Sequence, residues 1–429
     1  MTSDAHTSYS EAYVWVWLPN ATEPVVAGLL SQQGAQLVFN YGRSYLARPD
    51  AISLYAPELP LQPGSLSLIP GLNMPSCLRD ASPDAWGRRV LIHQKLGVKG
   101  TDAAQFELDE LTYLLESGSD RIGALDFQTS PTQYVPRETQ QPSLEELLTA
   151  AEKVEQGIAL SPELDQALLH GTALGGARPK VLLDDGDRKF IAKFSSSLDL
   201  YSVVKAEFIA MRLARKVGLN VATVHLRTAM GKDVLLIERF DRVRHGDQWR
   251  RRAMVSALTI FELDEMMAAY ASYEKLAECI RHRFAHSTAS LHELFARMVF
   301  NILCGNTDDH ARNHSAFWDG HQLALTPAYD ICPQSRTGQQ ASQAMLIHGS
   351  DRRSQIATCM AAAPCFLLGT EAAIAIVNHQ LRTIENEWTS ICDEAGLSAV
   401  DRALFWRRQF LNPFAFLNAP ESVVLPAGE

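Results

Sequence analysis

NILCGNTDDHARNHSAFWDGHQLALTPAYD, residues 301–330, opens as the end of an apolar helix and then places Asp308, Asp309, His310 and Asn313 within six residues. Phe317-Trp318 follows, then a turn at Asp319-Gly320, Ala324-Leu325 and Pro327-Ala328-Tyr329-Asp330. A carboxylate, an Asn five positions on and a second Asp beyond a short hairpin suit phosphoryl transfer. In that chemistry the first Asp accepts or orients the proton of the attacking hydroxyl, while the Asn and the second Asp hold Mg²⁺ on the phosphates. Asp and Asn also gather in loops for conformational reasons alone. The stretch therefore gains weight only if other parts of such a site lie upstream.

They do. Gly171 to Lys180 (GTALGGARPK) is a glycine-bearing loop, followed by strand-like Val181-Leu182-Leu183, a turn at Asp184–Asp187 and a returning strand, Lys189–Phe194. Glycine lets backbone N–H groups approach and cradle an anion, although an ordinary hairpin bend uses the same residues. Lys193 sits near the end of the returning strand, and Glu207 lies fourteen positions later on a helix whose apolar residues run from Val203 to Val217. A strand lysine held by a helix glutamate is how kinase-like sites keep the lysine on the phosphates; a lone surface glutamate is the plainer reading. Two strands follow, Val221–Leu226 and Asp233–Asp241, and Glu238 to Phe240 falls where a linker between lobes would meet adenine.

The 429 residues allow two or three domains. With 46% hydrophobic and 21% charged residues the chain reads as globular. No apolar run is long enough to span a bilayer, and the N-terminus lacks the form of a signal peptide. Seven scattered cysteines without CxxC pairing fit reduced thiols in a cytoplasm, and so a cytoplasmic protein with no membrane partner. A net charge of -10 disfavours unaided binding to a polyanion; Arg250, Arg251 and Arg252, the densest basic run, read as a solvated face.

Residues 12–48 read as a small antiparallel sheet of hairpins. SPDAWGRRVLIHQKLG from Ser82 reads as a helix, and Ala104 to Leu115 as a continuation. Thr129–Pro142, polar with three prolines, reads as a linker, and Ser143-Leu144-Glu145-Glu146 has capping-box spacing for a helix to about Gln156. Residues 263–284 and 291–304 read as amphipathic helices with Met266 and Met267 in the core, Gln334–Gln343 as a loop, and 370–395 and 398–411 as closing helices. The expected units are a β-rich N-terminal subdomain with short helices (1–128), an ATP-binding lobe (143–245) and a helical lobe (246–429).

The ordered set of motifs resembles the HipA-type serine/threonine kinase toxins of bacterial toxin–antitoxin modules. Its carriers are Leu174–Lys180, Ile191–Phe194, Ile237–Arg242, Asn306–Asn313 and Thr326–Asp330, with Gly28-Leu29 and Pro83–Arg88 in the first subdomain. The resemblance implies an α+β, two-lobed kinase-like fold with a β-rich N-terminal subdomain and an all-helical C-terminal lobe. It implies Asp308 as catalytic base, supported by His310, and Asn313 with Asp330 on Mg²⁺. Lys193 would contact the ATP phosphates, paired with Glu207, under a loop formed by Ala173, Leu174, Gly175, Gly176, Ala177, Arg178 and Lys180. Glu238 and Phe240 would line the adenine pocket. Family members often autophosphorylate a serine directly before the glycine segment; Ala173 stands there, and Thr172 is the nearest substitute hydroxyl. The resemblance further implies a helix-turn-helix antitoxin, DNA contact only through that complex, and a protein substrate, an aminoacyl-tRNA synthetase being one candidate. Asp308, Asn313 and Asp330 lie outside the His-Arg-Asp and Asp-Phe-Gly forms of eukaryotic kinases, since Asp330-Ile331-Cys332 stands at the latter. A small-molecule kinase and a transfer-silent scaffold for the antitoxin are the rival readings.

Overall fold

The structure is a computed structural model that describes residues 9–424 apart from 97–105, 138–142, 156, 157, 159, 162, 163, 165–167, 169–171, 173–177, 196–198, 200, 337 and 339. The N-terminal hairpins form as expected: β1 (Glu11–Val16), β2 (Val25–Gln33) and β3 (Gln36–Tyr41), with β4 (Leu125–Gln128) closing an antiparallel sheet in the order β3-β2-β1-β4. The returning strand brings residues 125–128 back beside β1, directly after residues 117–124, which contact the rest of the chain.

Between β3 and β4 lies α1 (Ala85–Leu96), the helix expected from Ser82. The helix expected over Ala104–Leu115 begins only at Glu110, because Asp109 caps it there by accepting from the Thr112 N–H at 2.9 Å; residues 106–109 stay outside it. The expected linker lacks regular structure over 129–137, but it is not a free tether. Arg137 donates to the carbonyls of Ser117 and Phe127 (2.8 Å each) and to Asp126 (2.7 Å). Its last five residues, 138–142, lie outside the described residues.

The capping box at Ser143 is formed in both directions. The Ser143 N–H donates to Glu146 Oε2 (2.8 Å) and the Glu146 N–H to Ser143 Oγ (3.2 Å), starting the helix Leu144–Glu155. This helix packs on one face of a second antiparallel sheet, β5 (Lys180–Asp184), β6 (Lys189–Phe194), β7 (Val224–Ala229) and β8 (Lys232–Glu238), in the order β5-β6-β8-β7. Leu147, Leu148 and Val154 meet Val181, Phe190, Phe194 and Leu236 there, and Trp86 and Val90 of α1 join the same apolar cluster. The opposite face carries α2 (Val203–Lys216), capped by Ser202 and ended by Gly218.

The third part is built on α3 (Tyr273–Arg283), α4 (Ser287–Cys304) and α5 (Thr370–Glu394). It is not all-helical. After a β9–β10 hairpin (Arg242–His245, Gln248–Arg251), β11 (Met254–Ser256), β12 (Ser315–Trp318) and β13 (Leu323–Leu325) make a three-stranded sheet. Four consecutive buried residues, Ser315 to Trp318, are too few for a helix. The Asp319 carboxylate closes the turn after them by accepting from the N–H groups of His321 and Gln322.

Met266 and Met267 are exposed, at 91% and 46%, and are not core residues. Asp264 caps a separate 3₁₀ turn (Glu265–Tyr270) and Ser272 caps α3, so the helical phase breaks between them and the methionines turn to solvent. The helix expected over 398–411 runs only from Ala399 to Phe405, and the chain turns through Arg407 at positive φ. Arg251 is half-buried, whereas Arg252 is exposed as a solvated face expects, and both stack on aromatic rings. Their guanidinium carbons lie 3.5 Å from the Trp17 ring centroid and 3.2 Å from that of Phe317. Among the described residues no helix is long and apolar enough to cross a membrane.

Candidate functional site

Side chains alternate along β6. Phe190, Ala192 and Phe194 enter the apolar cluster, which leaves Ile191 and Lys193 on the opposite face. Strand β5 pairs Lys180 directly with Lys193, so two ammonium groups stand side by side. Like charges across a ladder destabilise it unless anions intervene. Two carboxylates do: Lys193 Nζ lies 2.7 Å from Glu207 Oε1 on α2 and forms an ion pair with Asp330. Burial alone would lower the Lys193 pKa; Asp330 and then Glu207 outweigh it and hold the ammonium above the ordinary lysine value. Lys180 is pushed down to about 8, first by burial and then by the neighbouring Lys193 charge.

Asp330 is carried on a residue at positive φ, a conformation that Asp tolerates better than most side chains. Burial opposes its ionisation, but Lys193 and Lys180 hold its carboxyl well below the usual range. Next to it, the Tyr329 hydroxyl donates to the Arg312 carbonyl (2.7 Å) and shares a 2.6 Å hydrogen bond with Ser315 Oγ.

The loop 306–314 hangs from the end of α4. Gly305 caps the helix at φ +75°, and the Asn306 amide donates to Asn301 Oδ1 at 3.0 Å. Of the two adjacent acids, Asp309 is buried and spent on structure, accepting from the Tyr273 hydroxyl and lying 3.0 Å from His314 Nε2. Asp308 is exposed, and its carbonyl accepts from Asn313 Nδ2 at 3.1 Å. That bond engages Asn313 Nδ2, and the residue lines the cleft. His310 Nδ1 is buried without a hydrogen-bond partner among the described residues.

These pieces converge on a cleft of about 400 Å³, lined by Lys180, Lys193, Glu238, Phe240, His310, Asn313 and Asp330, with Asp80 and Asp84 from the N-terminal part. Phe240 packs on Phe317 and Tyr329, with ring centroids 5.9 and 5.8 Å away. Paired cations and a carboxylate in such a cleft can bind a polyphosphate and a divalent cation.

Asp308 and Glu207 adjoin the cleft residues Asn313 and Lys193 but are not among those that line it, and Arg178 and Thr172 lie elsewhere. Arg178 is turned to Asp199, its Nη1 donating to both carboxylate oxygens at 2.7 and 2.9 Å. Thr172 is fully buried, its hydroxyl accepting from the Gly118 N–H at 3.2 Å. Ala173, Leu174, Gly175, Gly176 and Ala177 lie outside the described residues. Sequence reasoning gave no role to Asp84, Arg312, or the buried cluster of Asp120, Arg239, Asp241 and Arg242 behind Glu238–Phe240. In that cluster Asp120 accepts from Arg239 (3.0 Å) and Arg242 (2.7 Å), and Asp241 from both. The signal was there in part: three charged residues flank Phe240 at the end of an apolar strand.

Comparison with known proteins gives the following. The HipA-like C-terminal domain profile matches residues 172–388, and the HipA N-terminal domain profile residues 16–128. Y4mE of Sinorhizobium fredii is 27% identical over 57% of this chain and 60% of its own length. The serine/threonine-protein kinase toxin HipA of Shewanella oneidensis is 26% identical over 37% of this chain and 42% of its own. The chain thus spans about half the length of the curated relatives it matches. Among solved structures, the Shewanella oneidensis HipA, HipB and operator DNA complex superposes with a TM-score of 0.68 at 20% identity, covering 92% of this chain and 93% of the other.

Proposed function

The chain belongs to the HipA family, and on that premise we propose that it is a toxin serine/threonine protein kinase, moving the γ-phosphoryl group of Mg-ATP to a hydroxyl of a protein. The observation that carries this reading is Lys193, held between Glu207 and Asp330 at the wall of a cleft that Asn313 also lines.

In this account Asp308, the exposed acid of the pair, accepts the proton of the attacking hydroxyl as the oxygen bonds to phosphorus. Lys193 and Lys180 bind the phosphate oxygens, and Glu207 keeps Lys193 extended toward them. Glu238 and Phe240 border the adenine, with Phe240 fixed by Phe317 and Tyr329. Asp330 and Asn313, through its Oδ1, are the ligands that would hold Mg²⁺. A hard-oxygen pair of this kind fits a cation that takes its remaining ligands from phosphates and water. When bound, the cation supplies neutralisation of charge across the β- and γ-phosphates. His310 braces the loop that carries Asp308. Autophosphorylation at Thr172 would first require that residue to leave its seat against Gly118.

The partner in this proposal is a small helix-turn-helix antitoxin that carries the DNA contacts, a division of labour that suits the net charge of -10. The substrate is a protein of the translation machinery, an aminoacyl-tRNA synthetase being the leading candidate, and the site of action is the cytoplasm. Induced expression in a bacterial host tests the toxin role. Growth arrest by the wild type, with none by Asp308→Asn and relief on co-expressing a neighbouring helix-turn-helix protein, is the expected result. Equal arrest by both proteins would overturn it.

A further inference from the structure

Resting on the kinase reading, we propose that the N-terminal segment Asp80–Gly87 is a clasp that positions both halves of the active site, with Asp84 acting on the loop that carries Asp308 and Trp86 on the strand that carries Lys180. The segment lies outside both lobes in sequence, yet three of its residues reach three separate parts of the site, and a fourth, Gly87, abuts Thr172. Asp80 accepts from the Ser256 N–H (2.7 Å), the Ser256 hydroxyl (2.8 Å) and the Thr259 hydroxyl (2.8 Å), below the cleft. Asp84 lies 2.9 Å from Arg312 Nη1, one residue before Asn313, and Glu265 takes the same nitrogen at 2.8 Å from the far side. Trp86 Nε1 donates to the Lys180 carbonyl at 3.1 Å. Gly87 lies so close to the Thr172 carbonyl that an added Cβ would overlap its oxygen.

A guanidinium held between two carboxylates loses most of its freedom, and the backbone that carries it is fixed with it. Arg312 is further tied through its carbonyl to Tyr329, the neighbour of Asp330. Fixing Arg312 therefore fixes Asn313 and Asp330 relative to Asp308. The Trp86 bond sets the start of β5, where Lys180 emerges. The two contacts act on different steps: the loop governs transfer, and the lysine governs nucleotide binding. A 1 Å displacement of a positioning group is enough to reduce a rate about 100-fold.

The test compares wild type, Asp84→Asn and Trp86→Phe as full-length proteins, by transfer kinetics and by hydrogen exchange. Asp84→Asn is expected to lower kcat about tenfold or more with KM for Mg-ATP within about threefold. Trp86→Phe, which keeps the ring and removes the donor, is expected to raise KM several-fold with kcat nearly unchanged. Adding Arg312→Gln to Asp84→Asn should cost less than the sum of the two single changes, because the shared ion pair is lost only once, while the Glu265 contact goes with Arg312 alone. Hydrogen exchange should quicken over 307–314 in Asp84→Asn alone and over 180–184 in Trp86→Phe alone. Parallel losses in kcat and KM that track a falling Tm, or no change in either variant, would overturn the clasp. If the wild type transfers no phosphate, the kinase reading fails; the exchange pattern still decides the clasp, which falls if the two segments respond together or not at all.

Discussion

Lys180 carries the pH dependence of this site. Its ammonium ionises at about 8, below the ordinary lysine value, because it is buried beside Lys193. The charged form is therefore present below pH 8 and lost as pH rises through it, and with it one of the two cations available to phosphate. We predict that kcat/KM for Mg-ATP, which reports ionisations of the free enzyme, falls above about pH 8. Lys180→Arg should remove that alkaline limb, since a guanidinium stays charged throughout. A profile that is flat in the wild type, or unchanged in Lys180→Arg, would contradict the assignment. At this scale the pairing of Lys193 with Glu207 was readable from the order of a strand lysine and a helix glutamate that kinase-like sites use, and the 2.7 Å contact decides it against a surface glutamate. Which acid of Asp308-Asp309 faces solvent was fixed by Tyr273 and His314; Tyr273, 35 positions upstream of Asp308, cannot be placed by local pattern.

Gly305 shows what single elements demand. It ends α4 at φ +75°, and an added Cβ would meet the Gln409 carbonyl. Gly305→Ala should destabilise the protein by about 1–3 kcal/mol in denaturant titration, through backbone strain and displacement of the Gln409 segment. It should also disturb the loop that begins one residue later. A loss under about 0.5 kcal/mol would mean that the cap relaxes freely. Most elements were legible from period and punctuation: the N-terminal hairpins, the capping box at Ser143, and α2 from Val203 to its stop at Gly218. The misses share a cause. Met266 and Met267 fit a helical stripe only if the helix runs through Ala271-Ser272, and two competing caps break it there. Four-residue β12 is too short to show a period at all.

Across the whole molecule, the N-terminal sheet is joined to the linker strand by buried charge. Burial would raise the Asp120 carboxyl; Arg239, Arg242 and Lys189 outweigh it and hold it well below the usual carboxylate range. Its stabilisation is therefore present above the ordinary carboxylate pKa and lost as pH falls through the folded value. Asp120→Ala leaves two buried guanidinium groups short of an anion and should cost about 3–5 kcal/mol, read as a lower Tm and a weaker acid dependence. An unchanged Tm would show that Asp241 alone satisfies both arginines. The charged residues around Phe240 were only half of the signal, and their partner could not be read, because Asp120 and Arg239 lie 119 positions apart. The order of motifs revealed a two-lobed site; that a third segment reaches into it, through Asp80 and Asp84, became visible only in three dimensions.

The most direct measurement is transfer of labelled γ-phosphate from Mg-ATP by the purified full-length chain and by Asp308→Asn, with nucleotide binding measured alongside. The kinase account predicts label on the chain itself or on an added protein substrate from a bacterial extract. It also predicts at least about a 100-fold lower rate in Asp308→Asn, with Mg-ATP bound equally well by both. Equal labelling by the two proteins, or nucleotide bound by both and transferred by neither, would contradict it.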